Sequence, residues 1–200
     1  MKKSLEIRVY GIDGVTETFF QDDPDLVNRT LAELHPDSLF TRDRIAVADD
    51  FLQKTYMPPL IARIDLITDQ LSVWDFPFLL GALDELTESE FVEQVRISRE
   101  EKHKDLQKET TLYLDFDLLN GQRLFLGMQI VAGLPATILS KVHSLLKERR
   151  LIFGLRTAGV GILNVANVVR FSTHPEITEQ QEQYLRDSDH HFSSVQIRQL

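Results

Sequence analysis

Two stretches of similar pattern, LEIRVYGIDGVTETFF (residues 5–20) and TLYLDFDLLNGQRLFL (residues 111–126), decide the fold that this sequence predicts. In each stretch apolar and polar residues alternate on both sides of a short turn, as in two antiparallel strands with one buried face. The turns contain Asp13-Gly14 and Asn120-Gly121, and such pairs tolerate the positive φ of tight hairpin turns. We therefore predict one β-hairpin in each half of the chain.

The segments that follow the two hairpins are also alike. Pro24 and Pro135 each precede an apolar helical stripe, and two further strand-like segments follow each predicted helix. In the closing strands, residues 61–64 (IARI) can be set against residues 165–168 (VANV). This order predicts two ββαββ-like units and an internal duplication. Chance agreement is the alternative, because apolar positions often coincide in unrelated strands.

The chain divides into four segments. The predicted units span residues 1–72 and 109–174. Residues 73–108 between them combine an apolar anchor with a charged stretch whose spacing suits a helix, and residues 175–200 form a polar tail. We expect an α+β fold with a mainly antiparallel sheet, helices packed on one face of the sheet and a helical connector.

Composition restricts the possible partners and the chemistry. The chain carries 31 acidic and 22 basic side chains, a formal charge of −9, so we expect neither nucleic acid nor a membrane as partner. No apolar run is long enough to cross a bilayer and no signal peptide is evident, which predicts a soluble cytoplasmic protein. The absence of cysteine excludes disulfides, thiolate nucleophiles and Cys-ligated metals.

Two motifs that resemble ligand sites have simpler interpretations. In the acidic cluster at residues 22–25, Asp23 is a natural N-cap and Pro24 suits the first helical position, so capping is favoured over cation binding. Gly154, Gly159 and Gly161 lie between two strand-like segments. A phosphate-binding loop would be followed by a helix, so these glycines favour a hairpin turn.

Two hypotheses of function remain. No motif pairs a nucleophile with a base, and we expect a non-enzymatic protein without a metal or cofactor. The first hypothesis is self-association or binding of another protein through Trp74, Phe76 and Phe78 and through sheet edges, although core packing is the favoured interpretation of this apolar run. The second is a small-molecule-binding or hydrolytic site in a groove between the units, near Arg63 and Asn167.

Overall fold

A computed structural model describes residues 5–49, 51–68, 83–101, 110–130 and 147–174. Two 3₁₀ turns, Pro58–Leu60 and Val165–Asn167, accompany the regular elements. The strands and helices in chain order are β1 (Leu5–Gly11), β2 (Thr16–Gln21), α1 (Pro24–Glu33), α2 (Pro36–Leu39), β3 (Ile45–Ala48), β4 (Gln53–Tyr56), β5 (Ile61–Ile67), β6 (Leu83–Leu86), α3 (Glu88–Glu101), β7 (Thr110–Leu118), β8 (Arg123–Ile130), β9 (Arg150–Gly154), β10 (Val160–Asn164) and β11 (Val168–His174).

Nine of the strands form one sheet in the order β11-β7-β8-β6-β9-β10-β5-β1-β2, and β3 and β4 form a separate hairpin. Neighbouring strands are antiparallel except for β6 and β9, which run parallel. The predicted mixed α+β fold with a large, mainly antiparallel sheet is thus confirmed. Within the described ranges no helix is long and apolar enough to cross a membrane.

Helix α1 begins where the sequence predicts. The Asp23 carboxylate accepts hydrogen bonds from the backbone N–H groups of Asp25 (2.8 Å) and Leu26 (3.0 Å), which satisfies donors that the first helical turn leaves without partners. One apolar stripe of the helix packs in a common core with the buried face of β1. The side chains in this contact are Val27, Leu31, Leu34, Leu5 and Ile7.

Replacing Asp23 by alanine is expected to lower the free energy of unfolding by about 1 kcal/mol, because two backbone donors lose their acceptor. Urea denaturation measures the loss. Asp43→Ala is the control, since Asp43 is an exposed aspartate outside any helix. Equal losses in the two variants would contradict the capping role.

The predicted number of strands after each helix is wrong. Three strands, β3 to β5, follow the helices of the first half, and β9 to β11 close the second half. A 3₁₀ turn precedes β5 and another precedes β11, and the second turn divides residues 162–171, which look continuous in sequence. The connector also contains a strand, β6, which joins the main sheet. Residues 131–146, with the helix predicted after Pro135, lie outside the described residues, so the packing of helices on one face stays a prediction.

A three-stranded arrangement occurs twice in the sheet with the same register. β1 lies between β2 and β5, and β7 lies between β8 and β11. Leu5 pairs with Gln21, and Leu112 pairs with Met128, so both residue numbers increase by 107 (112 minus 5, 128 minus 21). The bounds of β5 and β11 differ by the same number (168 minus 61).

The backbone hydrogen bonds at the hairpin turns repeat at this spacing of 107 residues. The N–H of Ile12 donates to the carbonyl of Leu60, and the N–H of Leu119 donates to the carbonyl of Asn167, both at 3.0 Å. Gly14 and Gly121 have φ of 83° and 78°, as the predicted turns require. The turns and their contacts with the 3₁₀ segments are therefore the same in both halves.

The register of the closing strands differs from the sequence comparison. Residues 61–64 are matched by residues 168–171 and not by residues 165–168. Residues 165–167 form the 3₁₀ turn that corresponds to Pro58–Leu60. Arg170, rather than Asn167, consequently occupies the position of Arg63.

Candidate functional site

Arg63 and Asp65 are charged residues within an otherwise apolar strand. Their neighbours Ile64 and Leu66 belong to the core, and because side chains alternate along a strand, Arg63 and Asp65 share the opposite face of β5. Only 11% of the Arg63 side chain and 3% of the Asp65 side chain are exposed. Charges buried to this extent are tolerated only when they are paired.

Arg63 is bound by two carboxylates. Its Nε and Nη2 donate to Asp65 at 2.5 and 2.9 Å, and Nη2 also donates to Glu85 at 2.7 Å. The guanidinium lies over the rings of Tyr10 and Phe153, 5.2 and 4.8 Å from their centres. Within the described part of the chain, the remaining terminal nitrogen Nη1 makes no hydrogen bond. The network therefore fixes the orientation of the guanidinium and leaves one nitrogen available.

Burial governs the ionisation of this cluster. Burial raises the pKa of Tyr10 to about 12. The Asp65 carboxylate, which accepts a hydrogen bond from the Tyr10 hydroxyl at 2.8 Å, acts in the same direction. Burial also raises the pKa of Asp65, while Arg63 and the Tyr10 hydroxyl act in the opposite direction. For Arg63, burial lowers the pKa, but Asp65 and Glu85 outweigh it and the pKa is raised. At neutral pH the cluster contains a charged Arg63 and a neutral Tyr10.

Glu85 reaches Arg63 across two intervening strands. Its strand β6 is separated from β5 by β9 and β10, a distance of about 14 Å on a flat sheet. The ion pair joins the two long side chains over this distance. Gly161 of β10 also helps to form the cluster around Arg63, since a Cβ at this position would overlap the ring of Phe153. The absence of a side chain at Gly161 lets Phe153 lie across β10 and contact Arg63.

The cluster lines an open cleft with a volume of about 400 Å³. Gln122, from the β7–β8 turn, and Thr157, from the β9–β10 loop, contribute to its walls, with Arg8 and Arg123. Residues from both halves of the chain thus line the cleft. Its lining contains three arginines and two carboxylates, and two of the arginines bind acidic residues beside the cleft: Arg8 binds Glu6, and Arg123 binds Asp115 and Glu88.

A second depression lies at the start of α3 and is lined by residues 87–89, 92 and 93. Its polar groups have a structural role: the backbone N–H of Thr87 donates to Glu90 at 2.8 Å, and the Thr87 hydroxyl accepts the N–H of Glu90 at 3.2 Å. This is a capping box at the helix N-terminus. None of the described residues that line this depression is a buried charged residue, so we consider the Arg63 cleft the candidate site.

The structure separates the two groove residues that the sequence indicates. Arg63 lines the cleft, whereas the buried Asn167 lies outside its lining. The Asn167 amide donates to the carbonyls of Pro59 (3.2 Å) and Ile61 (2.6 Å), and the Asn164 amide makes similar bonds to the same segment. Asn167 thus joins one 3₁₀ segment to the other. Trp74, Phe76 and Phe78 lie outside the described residues.

Sequence reasoning missed Tyr10, Asp65, Glu85 and Phe153. One signal for Asp65 was available, because Arg63 and Asp65 are two residues apart in an apolar strand and must share a face. Glu85 and Phe153 carry no comparable signal. They meet Arg63 only through the order of the strands in the sheet.

The fold and the cleft define a mixed α+β protein with a polar cleft on one face of a large sheet. Among the residues that the structure describes, no group of three His, Cys, Asp or Glu side chains could hold a metal ion. Comparison with protein-family models, with curated proteins and with solved structures finds no match for this chain.

Proposed function

We propose that this protein binds a small molecule bearing an oxyanion, a carboxylate or a phosphate, in the cleft beside Arg63. The available Nη1 of Arg63 is the observation that carries the proposal. A guanidinium held by two carboxylates and two rings needs no reorganisation to donate to an anion. Gln122 and Thr157 supply further donors around the same volume.

Binding is favoured over catalysis by the chemistry of the cleft lining. None of its described residues is a histidine, cysteine or lysine. The Tyr10 hydroxyl is engaged with Asp65, and its raised pKa keeps it neutral at physiological pH. Asp65 is itself held by Arg63. The lining therefore provides donors for an anion but no free base to activate a nucleophile.

We also propose that the chain is an internal duplication in which only the first copy formed the site. The constant spacing of 107 residues in register and turn hydrogen bonds supports this origin. Arg170 is the counterpart of Arg63, but its side chain is 71% exposed and binds Asp117. The counterparts of Tyr10 and Asp65 are Asp117 and Ser172. The buried cluster is therefore specific to the first copy.

Phosphate and citrate, each added at constant ionic strength, are the probes of the proposed site. At a concentration ten times the Kd, a ligand stabilises the folded state by about 1.4 kcal/mol, which raises the Tm of a chain this long by about 3–6 °C. Arg63→Lys is expected to abolish this rise relative to its own ligand-free Tm, because lysine keeps the charge but lacks the planar donor group. Differential scanning fluorimetry gives both values.

Arg170→Lys is the matched control, since it makes the same change at the equivalent exposed position. It is expected to retain the full ligand-induced rise. The proposal fails if neither probe raises the Tm of the parent protein, or if Arg63→Lys responds as the parent does. Association through Trp74, Phe76 and Phe78 remains a separate prediction.

A further inference from the structure

Glu85 uses only one of its two carboxylate oxygens in the Arg63 cluster. Its Oε1 accepts the hydrogen bond from Nη2 of Arg63, whereas Oε2 accepts no hydrogen bond within the described ranges. Neither Oε2 of Glu85 nor Nη1 of Arg63 is a buried atom, so both are accessible to solvent, and both residues line the cleft. The cleft therefore offers one available acceptor beside the available donor of Arg63.

The carboxylate of Asp65, by contrast, has both oxygens engaged. Its Oδ1 accepts a hydrogen bond from Nε of Arg63, and its Oδ2 accepts bonds from Nη2 of Arg63 and from the Tyr10 hydroxyl. The side chain of Asp65 is 3% exposed, against 22% for that of Glu85. Of the two carboxylates that hold Arg63, Glu85 is thus the one that can contact a ligand.

The charges around the cleft disfavour a ligand that carries only negative charge. The single positive charge of Arg63 is shared between Asp65 and Glu85. The other two arginines of the lining, Arg8 and Arg123, have acidic partners of their own. An anion bound to Nη1 would lie beside Glu85, and the two negative charges would repel each other more strongly than in water, because both are partly buried. A positive charge on the ligand, placed at Oε2, removes this repulsion.

We propose that the ligand of the cleft is a small zwitterion, an α-amino acid with a neutral side chain. Its carboxylate accepts a hydrogen bond from Nη1 of Arg63, and its ammonium group donates one to Oε2 of Glu85. Both bonds join groups of opposite charge, which makes them stronger than bonds between neutral groups. This inference rests on the proposed anion site at Arg63 and specifies the class of ligand that occupies it.

The contact between Arg63 and Glu85 limits the spacing of the two charged groups on the ligand. Nη2 and Oε1 are 2.7 Å apart, and the available atoms belong to the same guanidinium and the same carboxylate. The ammonium and carboxylate groups of the ligand must therefore lie close together. In an α-amino acid one carbon carries both groups, whereas the two ends of an extended ω-amino acid are too far apart.

The rest of the cleft lining indicates a neutral side chain on the ligand. Every charged residue of the described lining already binds a residue of opposite charge. Gln122 and Thr157 add neutral polar groups, and Leu155 adds an apolar one. An acidic or basic side chain would therefore compete with an existing ion pair, while an amide or an aliphatic side chain would not.

Two matched pairs of ligands test the proposal at neutral pH. L-glutamine is compared with glutaramate and L-leucine with isocaproate, and the second compound of each pair is the first without its amino group. In at least one pair we expect the amino acid to bind the parent protein with a Kd about tenfold below that of the matched anion, because it gains a charge-assisted hydrogen bond. Isothermal titration calorimetry measures the four Kd values.

Glu85→Gln removes the negative charge but keeps an oxygen that can accept the bond from Arg63. In this variant we expect the Kd of the amino acid to rise about tenfold. The Kd of the matched anion should stay the same or fall, because the repulsion by Glu85 is gone. Glu33→Gln is the matched control, since Glu33 ends α1, which packs on the opposite face of the sheet. It should leave all Kd values unchanged, and circular dichroism checks that both variants are folded.

The proposal is overturned if neither amino acid binds more tightly than its matched anion, or if Glu85→Gln leaves the ratio of the two Kd values unchanged. An equal rise of both Kd values, the result expected if Glu85 only holds Arg63 in place, is included in the second case. Stabilisation by phosphate or citrate that is lost in Arg63→Lys would keep the proposed anion site even when the zwitterion fails. If no probe binds the parent protein, both proposals fail.

Discussion

Replacing Arg63 by methionine is expected to lower the free energy of unfolding by about 3–5 kcal/mol, the usual cost of removing one partner from a buried ion pair. Methionine keeps much of the apolar contact with the rings of Tyr10 and Phe153. The loss arises because Asp65, 3% exposed, and Glu85 keep their charges without the guanidinium. Urea denaturation monitored by circular dichroism measures it.

Arg170→Met is the matched control, because Arg170 holds the equivalent position but is an exposed residue paired with Asp117. Removing an exposed ion pair costs less than about 1 kcal/mol. Similar losses at positions 63 and 170 would show that burial of the Arg63 cluster contributes nothing.

The loss in Arg63→Met is expected to depend on pH. Burial already raises the pKa of Asp65, and removal of Arg63 takes away the main group that opposes this effect. Asp65 then binds its proton more tightly in the folded variant than in the unfolded chain, where its pKa is about 3.9. Protonation therefore stabilises the folded variant, and this stabilisation is lost as the pH rises through the folded pKa. The difference in unfolding free energy between parent and variant should narrow as the pH is lowered through the raised pKa of Asp65 toward its unfolded value of about 3.9.

The second large effect is expected at Gly159, in the loop between β9 and β10. Gly159 has a φ of 136°, a backbone conformation that residues with a side chain rarely adopt. An added Cβ would also overlap the carbonyl of Leu66 and lie 2.9 Å from Cα of Ile67. Both atoms belong to the backbone of β5, which is paired on both sides, and cannot move easily. Gly159→Ala should lower the free energy of unfolding by about 3 kcal/mol or more.

Gly121→Ala provides the comparison for this substitution. Gly121 also has positive φ, 78°, but a Cβ there meets nothing within 4 Å. The cost should be about 1 kcal/mol, from backbone strain alone. Equal destabilisation by the two alanines, measured from urea unfolding midpoints, would mean that the contact with β5 is unimportant.

Local features of the fold could be predicted from the sequence because they depend on neighbouring residues. The hairpin turns at Gly14 and Gly121 follow from the need for positive φ, and the start of α1 follows from Asp23 and Pro24. The strand β6 could not be predicted in this way. Residues 83–86 (LDEL) have no distinctive strand pattern, and their conformation is fixed by pairing with β8 and β9.

The candidate site was only partly predictable. Arg63 could be chosen from the sequence as a polar residue in an apolar strand, but its partners lie 22 residues away at Glu85 and 90 residues away at Phe153 (153 minus 63). No local rule relates these positions. Asn167 was chosen by a register three residues from the structural one, because the sequence does not show that a 3₁₀ turn precedes β11.

The sequence by itself determined the two hairpins, the capped helix and the α+β class, since turn geometry, capping and alternation are properties of adjacent residues. Only the tertiary structure decided the strand order, and with it the burial of Arg63 and the exposure of the equivalent Arg170. β10 pairs with β5, and Phe153 and Glu85 bury Arg63, whereas no described strand pairs with the outer edge of β11 and Arg170 remains exposed. Burial depends on which distant segments meet. A charged side chain is held in one orientation only when buried partners from those segments surround it.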